Sequence, residues 1–389
     1  MAKHALLSAS GAHRWLECTP SAKLESQFEN TPSVYAEEGT AAHSLAELVT
    51  KYWLNMISEA EYENQLDVFK AKNKYYNAEM LEYATDYAKL IQSKLAEIKK
   101  DCPDPQAELE VKVDFSAWVP QGFGTGDCII VADETMDIID FKYGKGHRVE
   151  ATGNPQMRLY ALGAYERYKD LYDIKNICMT IFQPRISGVQ SSDEMTIEEL
   201  LAWAEEYVKP RAALAIKGKG KFNPGAETCK FCRAKEVCRA RTEHNVKLFD
   251  EAPDIFLITP EEAGEILKSA NDMEAWLSDL KKLVSETLLS GAPVTGWKMV
   301  EGRSNRKITD ETAAAEALKA AGYGEAEIFK RSLLTLTALE KQFGKKEVAA
   351  ALEGLIIKPA GSPTLAPADD KRKEYKPDEE ILKEFDKED

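Results

Sequence analysis

The sequence predicts a mixed α/β core followed by a mainly helical region. Three observations carry that expectation. Strict alternation of apolar residues from Ala107 to Phe115, and short strand-like runs after it up to Gln183, mark β-structure. Segments with helical periodicity lie before, between and after them. After Arg241 the strand-like alternation stops and helical signals alone remain.

Taken in order, Gly39-Thr40 precedes an Ala-rich helix through His43, Glu47 and Trp53, and a second helical pattern runs from about Tyr75 to Lys100, ended by Pro103 and Pro105. The pattern then changes period. Ala107, Leu109, Val111, Val113 and Phe115 alternate with Glu108, Glu110, Lys112 and Asp114, which describes a half-buried strand with its charges toward solvent. Asp127–Ala132 and Met136–Lys142 read as two strands of a hairpin around Asp133-Glu134-Thr135. Asn154-Pro155 opens a helix to about Lys169. Ile177–Gln183 is a fourth strand, and Thr196–Ile216 a further helix. Thr259-Pro260-Glu261-Glu262 is a capping box for a helix that Gly291 stops after Leu289. Its apolar positions Ile266, Ala270, Met273, Leu277, Leu280 and Val284 predict an amphipathic face packed on its own domain, with a partner seam as the alternative. The divisions expected are residues 1–245, 246–358 and a charged, partly disordered tail at 359–389.

Bulk composition narrows the function classes. No apolar run approaches the roughly 18 residues of a membrane span, and no signal-peptide apolar region is visible, so a cytoplasmic protein is expected. Seven cysteines, an odd number spread over 389 residues, do not form a disulfide framework. The net charge of −15 argues against a nucleic-acid partner when taken alone. Between Lys209 and Arg241, however, ten Lys or Arg face two Glu, a local balance of +8. The acidity therefore leaves room for a basic groove.

The chemistry concentrates in Gly124-Thr125-Gly126-Asp127 and Ile138-Ile139-Asp140-Phe141-Lys142. Residues two apart on a strand share a face, so Asp140 and Lys142 project together while Ile139 and Phe141 turn into the core. Asp127, on the neighbouring strand, reaches the same spot. Two converging carboxylates make a hard oxygen site for Mg²⁺ or Mn²⁺, and an adjacent ammonium suits a phosphodiester under attack by water. D-x-K alone is also what a surface acid and its salt-bridging lysine look like, so the tripeptide needs its context.

That context resembles the RecB-like branch of the PD-(D/E)XK nucleases: a His on an early helix, G-x-x-D, D-x-K, then Q-x-x-x-Y on the next helix. This chain supplies His43, Asp127, Asp140-Phe141-Lys142 and Gln156…Tyr160. The resemblance implies a restriction-endonuclease-like core, a mixed central sheet flanked by helices. It implies that His43, Asp127, Asp140 and the Phe141 carbonyl bind the metal, that Lys142 orients water, and that Gln156 and Tyr160 support the site and contact DNA. Glu110 is a further acid near this site, although strand alternation accounts for it as solvent-facing.

Cys229-x-x-Cys232-x5-Cys238 is a ligand spacing that lacks one member, and Cys18 is the candidate. Four thiolates suit an iron–sulfur cluster or zinc. One remote cysteine with a three-cysteine knuckle is similar to the arrangement in AddB-type and CRISPR-associated RecB-like exonucleases, which implies a [4Fe–4S] cluster. Closing so long a loop removes roughly 5 kcal/mol of unfolded-state entropy on a chain-entropy model. Cys102, Cys128 and Cys178 are expected to be small buried apolar residues.

Lys145, Lys219, Lys221, Lys230, Arg233, Arg303 and Arg306 are the basic residues expected to meet DNA. Nearly the whole chain is similar to an uncharacterised phage and prophage family of RecB-like nucleases. This implies a Mg- or Mn-dependent exonuclease or end-processing enzyme in phage replication or recombination. Any DNA-unwinding partner is a separate chain, because no G-x-x-x-x-G-K-[ST] loop occurs. The alternatives are a non-catalytic DNA-binding protein on the same fold and a zinc-stabilised interaction protein.

Overall fold

The computed structural model describes residues 5–29, 33–102, 104–186, 189–250, 260–300, 310–320, 324–329 and 333–356. The chain enters through short helices α1 (Ala12–Glu17) and α2 (Ser21–Glu25) and the longer α3 (Val34–Trp53), α4 (Glu59–Lys72) and α5 (Ala78–Ile98). A three-stranded meander follows: β1 (Gln106–Asp114), β2 (Phe123–Ala132) and β3 (Glu134–Phe141). Helix α6 (Pro155–Tyr168) then carries the chain across to β4 (Ile174–Gln183), and β5 (Val189–Thr196) returns beside it. The sheet order is β1-β2-β3-β4-β5. Every neighbouring pair is antiparallel except β3–β4, whose parallel pairing requires the helical crossover. The protein is thus a mixed five-stranded sheet flanked by helices, with a helical C-terminal region, as the sequence predicts.

The strands' two periodicities feed two cores. Ile129 and Val131 of β2, with Met136 and Ile138 of β3, pack under α6 together with Leu159 and Leu162. Cys128, Ile130, Ile139 and Phe141 face the other way onto α3 and α5, meeting Leu45, Val49, Ala84, Ala88 and Ile91. Gly163 permits close contact between α6 and β1: a Cβ there would sit 2.8 Å from Val113 Cβ and 3.1 Å from Asp114 N.

Several local expectations need correction. The helix bearing His43 begins at Val34, capped by the Ser33 side chain accepting from Ala36 N–H, so Gly39-Thr40 lies inside it. Helix α4 was not expected; Leu66 is its one buried residue, so its apolar stripe is too thin to show periodicity. Strand β5 was also missed. Its sequence, VQSSDEMT, is polar because it pairs only with β4 at the sheet edge. The expected 196–216 helix is α7 (Ile197–Trp203) and α8 (Lys209–Ala215) joined by a π-helical turn at Ala204–Val208, next to Pro210, which has no N–H to give. Cys128 is buried as expected, whereas Cys102 and Cys178 are only partly buried.

Beyond α8 come α9 (Ala226–Lys230), α10 (Arg239–Asp250), α11 (Pro260–Leu289) and four smaller helices, α12 (Glu311–Ala320), α13 (Glu325–Ile328), α14 (Leu336–Phe343) and α15 (Lys345–Ala351). The expected apolar face of α11 is not the buried one. Ala270, Met273, Leu280 and Val284 of that face are only half-buried and Ile266 and Leu277 are exposed, while the fully buried positions are Asp272, Trp276 and Asp279. The reason is Arg241 on α10, 2% exposed, which donates to Asp279 Oδ2 and lies 3.8 Å from Asp272. A buried guanidinium needs carboxylate partners more than the helix needs its leucines covered. The chain continues helically through the expected 245/246 division, which falls within α10. Thr259 of the expected capping box, Arg303, Arg306 and the 359–389 tail lie outside the described residues. Among the described residues no helix is long and apolar enough to cross a membrane.

Candidate active site

The site forms where β2 and β3 part. Their ladder runs from Ala132↔Thr135 to Cys128↔Ile139. One step beyond, Phe141 N–H donates to Asp127 Oδ2 at 2.7 Å, so a side-chain carboxylate stands where a strand carbonyl would be. The other oxygen of Asp127 lies 3.3 Å from His43 Nδ1, reaching in from α3. Across β2, Glu110 completes a trio: the ligand atoms of His43, Glu110 and Asp127 all lie within 4.8 Å of one another.

Glu110 keeps contact with solvent, but it also turns toward Asp127 and His43, which the alternation read from the sequence does not give. Its φ is +51°, in the left-handed region that a non-glycine residue adopts only when its surroundings require it. The kink reverses the faces of β1: Leu109 packs with the α3/α5 core, and Val111 with the α6 core. Glu110 lies in the row where the reversal occurs, and its carboxylate meets Asp127. Burial and the Asp127 carboxylate push its pKa up to about 7.

Asp140 and Lys142 project together from the end of β3. Asp140 is 2% exposed. Lys142 Nζ lies 3.3 Å from Asp140 Oδ1, 3.1 Å from Oδ2 and 3.2 Å from Gln156 Oε1. Gln156 Nε2 donates to Tyr160 Oη at 3.1 Å, and lies 3.4 Å from Asp140 Oδ1. Asn154 sets this register by capping α6, its side chain accepting from Gln156 N–H and Met157 N–H. Gly124 makes room for the tyrosine, since a Cβ there would fall 2.6 Å from Tyr160 Cε1. Asp140 Oδ2 is buried and accepts no hydrogen bond, with the Lys142 ammonium 3.1 Å away.

The electrostatics follow from this crowding. Burial disfavours the Asp140 carboxylate and raises its pKa, with Asp127 adding to the rise and Lys142 opposing it. Burial works against charge on Lys142, but Asp140 and Asp127 outweigh it, so the ammonium is held cationic. His43 behaves alike: burial lowers its pKa, Asp127 and Asp140 raise it, and the net shift is upward.

The family described as "Protein of unknown function (DUF2800)" matches residues 4–373. The chain belongs to the DUF2800 family. Two solved structures are similar to parts of this DUF2800 chain. The crystal structure of SSO0001 is 14% identical, with 59% of this chain and 97% of that chain covered, at a TM-score of 0.23. LHK-Exo in complex with dAMP is 14% identical over 46% of this chain and 93% of that chain, at a TM-score of 0.22.

Elsewhere in this DUF2800 protein, the four predicted cysteines line one cavity. Cys18 caps the C-terminus of α1, Cys229 sits in α9, and Cys232 and Cys238 lie in the turns between α9 and α10. Cys18, Cys229 and Cys232 are buried and Cys238 partly so. Burial raises the thiol pKa values of Cys18 and Cys229, and that of Cys232 to about 12. Backbone hydrogen bonds from Asn223, Gly225 and Ala234 pull the other way on Cys18, Cys229 and Cys232.

Of the basic residues, Lys230 places Nζ 3.2 Å from His147 Nδ1, on the edge of a cleft that contains Lys142. Arg233 lines a different cleft with Arg14 and Glu25. Lys145, Lys219 and Lys221 are exposed. Sequence reasoning missed Gln183, 3% exposed, whose side chain accepts from Val149 N–H and donates to the Gly144 and His147 carbonyls. It fixes the loop after Lys142. A polar residue ending an apolar strand was the available signal.

Proposed function

We propose that this protein is a metal-dependent DNA nuclease of the RecB-like PD-(D/E)XK kind, acting at DNA ends in phage replication or recombination. The observation that carries the reading is the pair of buried Asp140 and partly exposed Lys142 set beside the His43/Glu110/Asp127 trio. Carboxylate oxygens, including the buried Asp140 Oδ2, and one imidazole suit a hard divalent cation. His43, Glu110, Asp127, Asp140 and the Phe141 carbonyl would hold Mg²⁺ or Mn²⁺, which supplies Lewis-acid charge to the scissile phosphate.

The protein's own groups do the rest. Lys142, kept cationic by two carboxylates, cannot act as a base near neutral pH. It donates a hydrogen bond that orients the attacking water and offsets charge on the phosphate. The water oxygen bonds to phosphorus, the P–O bond to one sugar breaks, and the leaving oxygen ends protonated. Gln156 and Tyr160 hold the lysine and Asp140 in register.

The thiol pocket fits a [4Fe–4S] cluster held by Cys18, Cys229, Cys232 and Cys238, with zinc as the alternative, because four mostly buried sulfurs line a single cavity. Its role is a staple that ties the N-terminal helices to the α9 turn.

The deciding assay is cleavage of end-labelled linear DNA with Mn²⁺ or Mg²⁺, comparing wild type with Asp140→Asn and Lys142→Ala. Wild type should cut and both variants should lose activity on the order of 10³-fold. Activity surviving in both folded variants would place the chemistry elsewhere. DNA binding without cutting by wild type would favour the non-catalytic alternative. Absorbance near 400 nm distinguishes the cluster from colourless zinc.

A further inference from the structure

Phe231 stands between two of the cysteines, and 68% of its surface is exposed. Its position is fixed from both sides. Cys229 and Cys232 are buried, Cys229 N–H donates to the Gly225 carbonyl at 2.9 Å, and Cys232 N–H to the Cys229 carbonyl at 3.1 Å. The turn therefore holds an apolar ring out toward solvent, where burial gives no reason for it.

The ring borders two clefts, one of about 380 Å³ that also contains Lys142 and Gln156 and one lined by Arg14, Glu25 and Arg233, and Lys230 Nζ lies 5.9 Å from its centroid. In the first cleft the wall between Phe231 and Lys142 is preformed, because Gln183 clamps the 144–149 loop. It carries Arg148 and His147, with Lys230 against His147. The acids present, Glu150 and Glu227, lie 2.6 Å from Arg148 and 3.6 Å from Lys230. An aromatic face, interleaved with cations and opening on the candidate catalytic lysine, matches what a nucleic-acid strand requires: charge for its backbone and a flat apolar surface for a base.

We propose that Phe231 is a stacking platform for one nucleobase of an unpaired DNA strand whose phosphodiester lies at Lys142. This rests on the nuclease reading above and adds to it a base-binding subsite. The strand must be unpaired there, since a base offers its face to a side chain only when it has left the duplex stack. Arg148 and Lys230 exchange their Glu150 and Glu227 partners for the backbone phosphates between the two points. Phe231 touches a neighbouring nucleotide and not the reacting atoms, so it is a positioning residue.

The test uses the full-length protein with Ca²⁺ in place of Mn²⁺ and a single-stranded oligonucleotide carrying 2-aminopurine at successive positions. Wild type should quench the probe at one position, and Phe231→Tyr should retain the quench. Phe231→Ala and Phe231→Leu should abolish it and weaken binding roughly five- to a hundredfold. An abasic residue at that position should erase the difference between wild type and Phe231→Ala. Equal quenching by wild type and both non-aromatic variants overturns the proposal, as does equal quenching in a blunt duplex. Phe231→Leu keeps apolar bulk in the knuckle, and circular dichroism checks that each variant is folded. The two readings fail separately. A wild type that quenches but never cuts with Mn²⁺ sinks the nuclease reading alone, and one that cuts while Phe231→Leu quenches normally sinks the stacking reading alone.

Discussion

The carboxylate site and the four-thiol pocket both gather reactive side chains from distant parts of the chain, yet they are held in different ways. Asp127 and Asp140 lie on central strands, in a sheet whose two faces are covered by α6 and by α3 with α5. Their positions come from ladder hydrogen bonds and packing that no ion contributes to. The cysteines sit on a helix end, a five-residue helix and turns. Little regular structure fixes them, although three of the four are buried and all line one cavity. The carboxylates are thus preorganised by regular structure, whereas the thiols depend on helix ends and loops.

The largest expected effect breaks this symmetry at the sheet. Asp140→Asn should lower cleavage on the order of 10³-fold without lowering the melting temperature, because it removes a buried charge that burial already disfavours. A large loss of thermal stability would show that the carboxylate also holds the strands. At the thiol pocket the opposite is expected. Cys18→Ser or Cys232→Ser should cost about 2–5 kcal/mol in urea denaturation, in line with loss of a cross-link, and should expose the segment around α9 to proteolysis. Variants as stable as wild type would mean the pocket binds nothing that matters to folding.

A smaller effect sharpens the electrostatics of the carboxylate site. With its pKa raised to about 7, Glu110 is protonated more readily in the folded protein than in the unfolded chain. The metal-free fold therefore loses stability as pH rises from the ordinary carboxyl range through about 7. Metal uptake must displace protons from Glu110 and from His43, so Mn²⁺ affinity should climb over the same interval. Glu110→Gln should flatten both profiles and weaken Mn²⁺ roughly tenfold, read by calorimetry and thermal melts from pH 5.5 to 8.5 (roughly the window between the two protonation states). Unchanged profiles would remove Glu110 from the site. The smallest effect is Tyr160→Phe. It deletes one hydrogen bond to Gln156 and should cost about 1 kcal/mol in kcat/KM, near fivefold, with KM for the metal unaltered.

Much of this molecule was legible from local pattern. Two-residue spacing on a strand put Asp140 and Lys142 on one face, four-residue spacing on a helix put Gln156 and Tyr160 together, and the cysteine spacing marked residues that line one cavity. These are short-range consequences of chain geometry, which the sequence by itself determines. What only the tertiary structure decided depended on partners far along the chain. Glu110 alternates like any half-exposed strand residue until a positive φ swings it toward Asp127 and His43. The apolar stripe of α11 lost to Arg241, because a buried cation selects the face carrying Asp272 and Asp279. Strand β5 is polar, yet its Ser191 and Asp193 side chains accept the Ala151 and Gly153 N–H groups of the loop that launches α6. In each case an electrostatic or backbone requirement, set by residues distant in sequence, overrode the periodicity that a local reading follows.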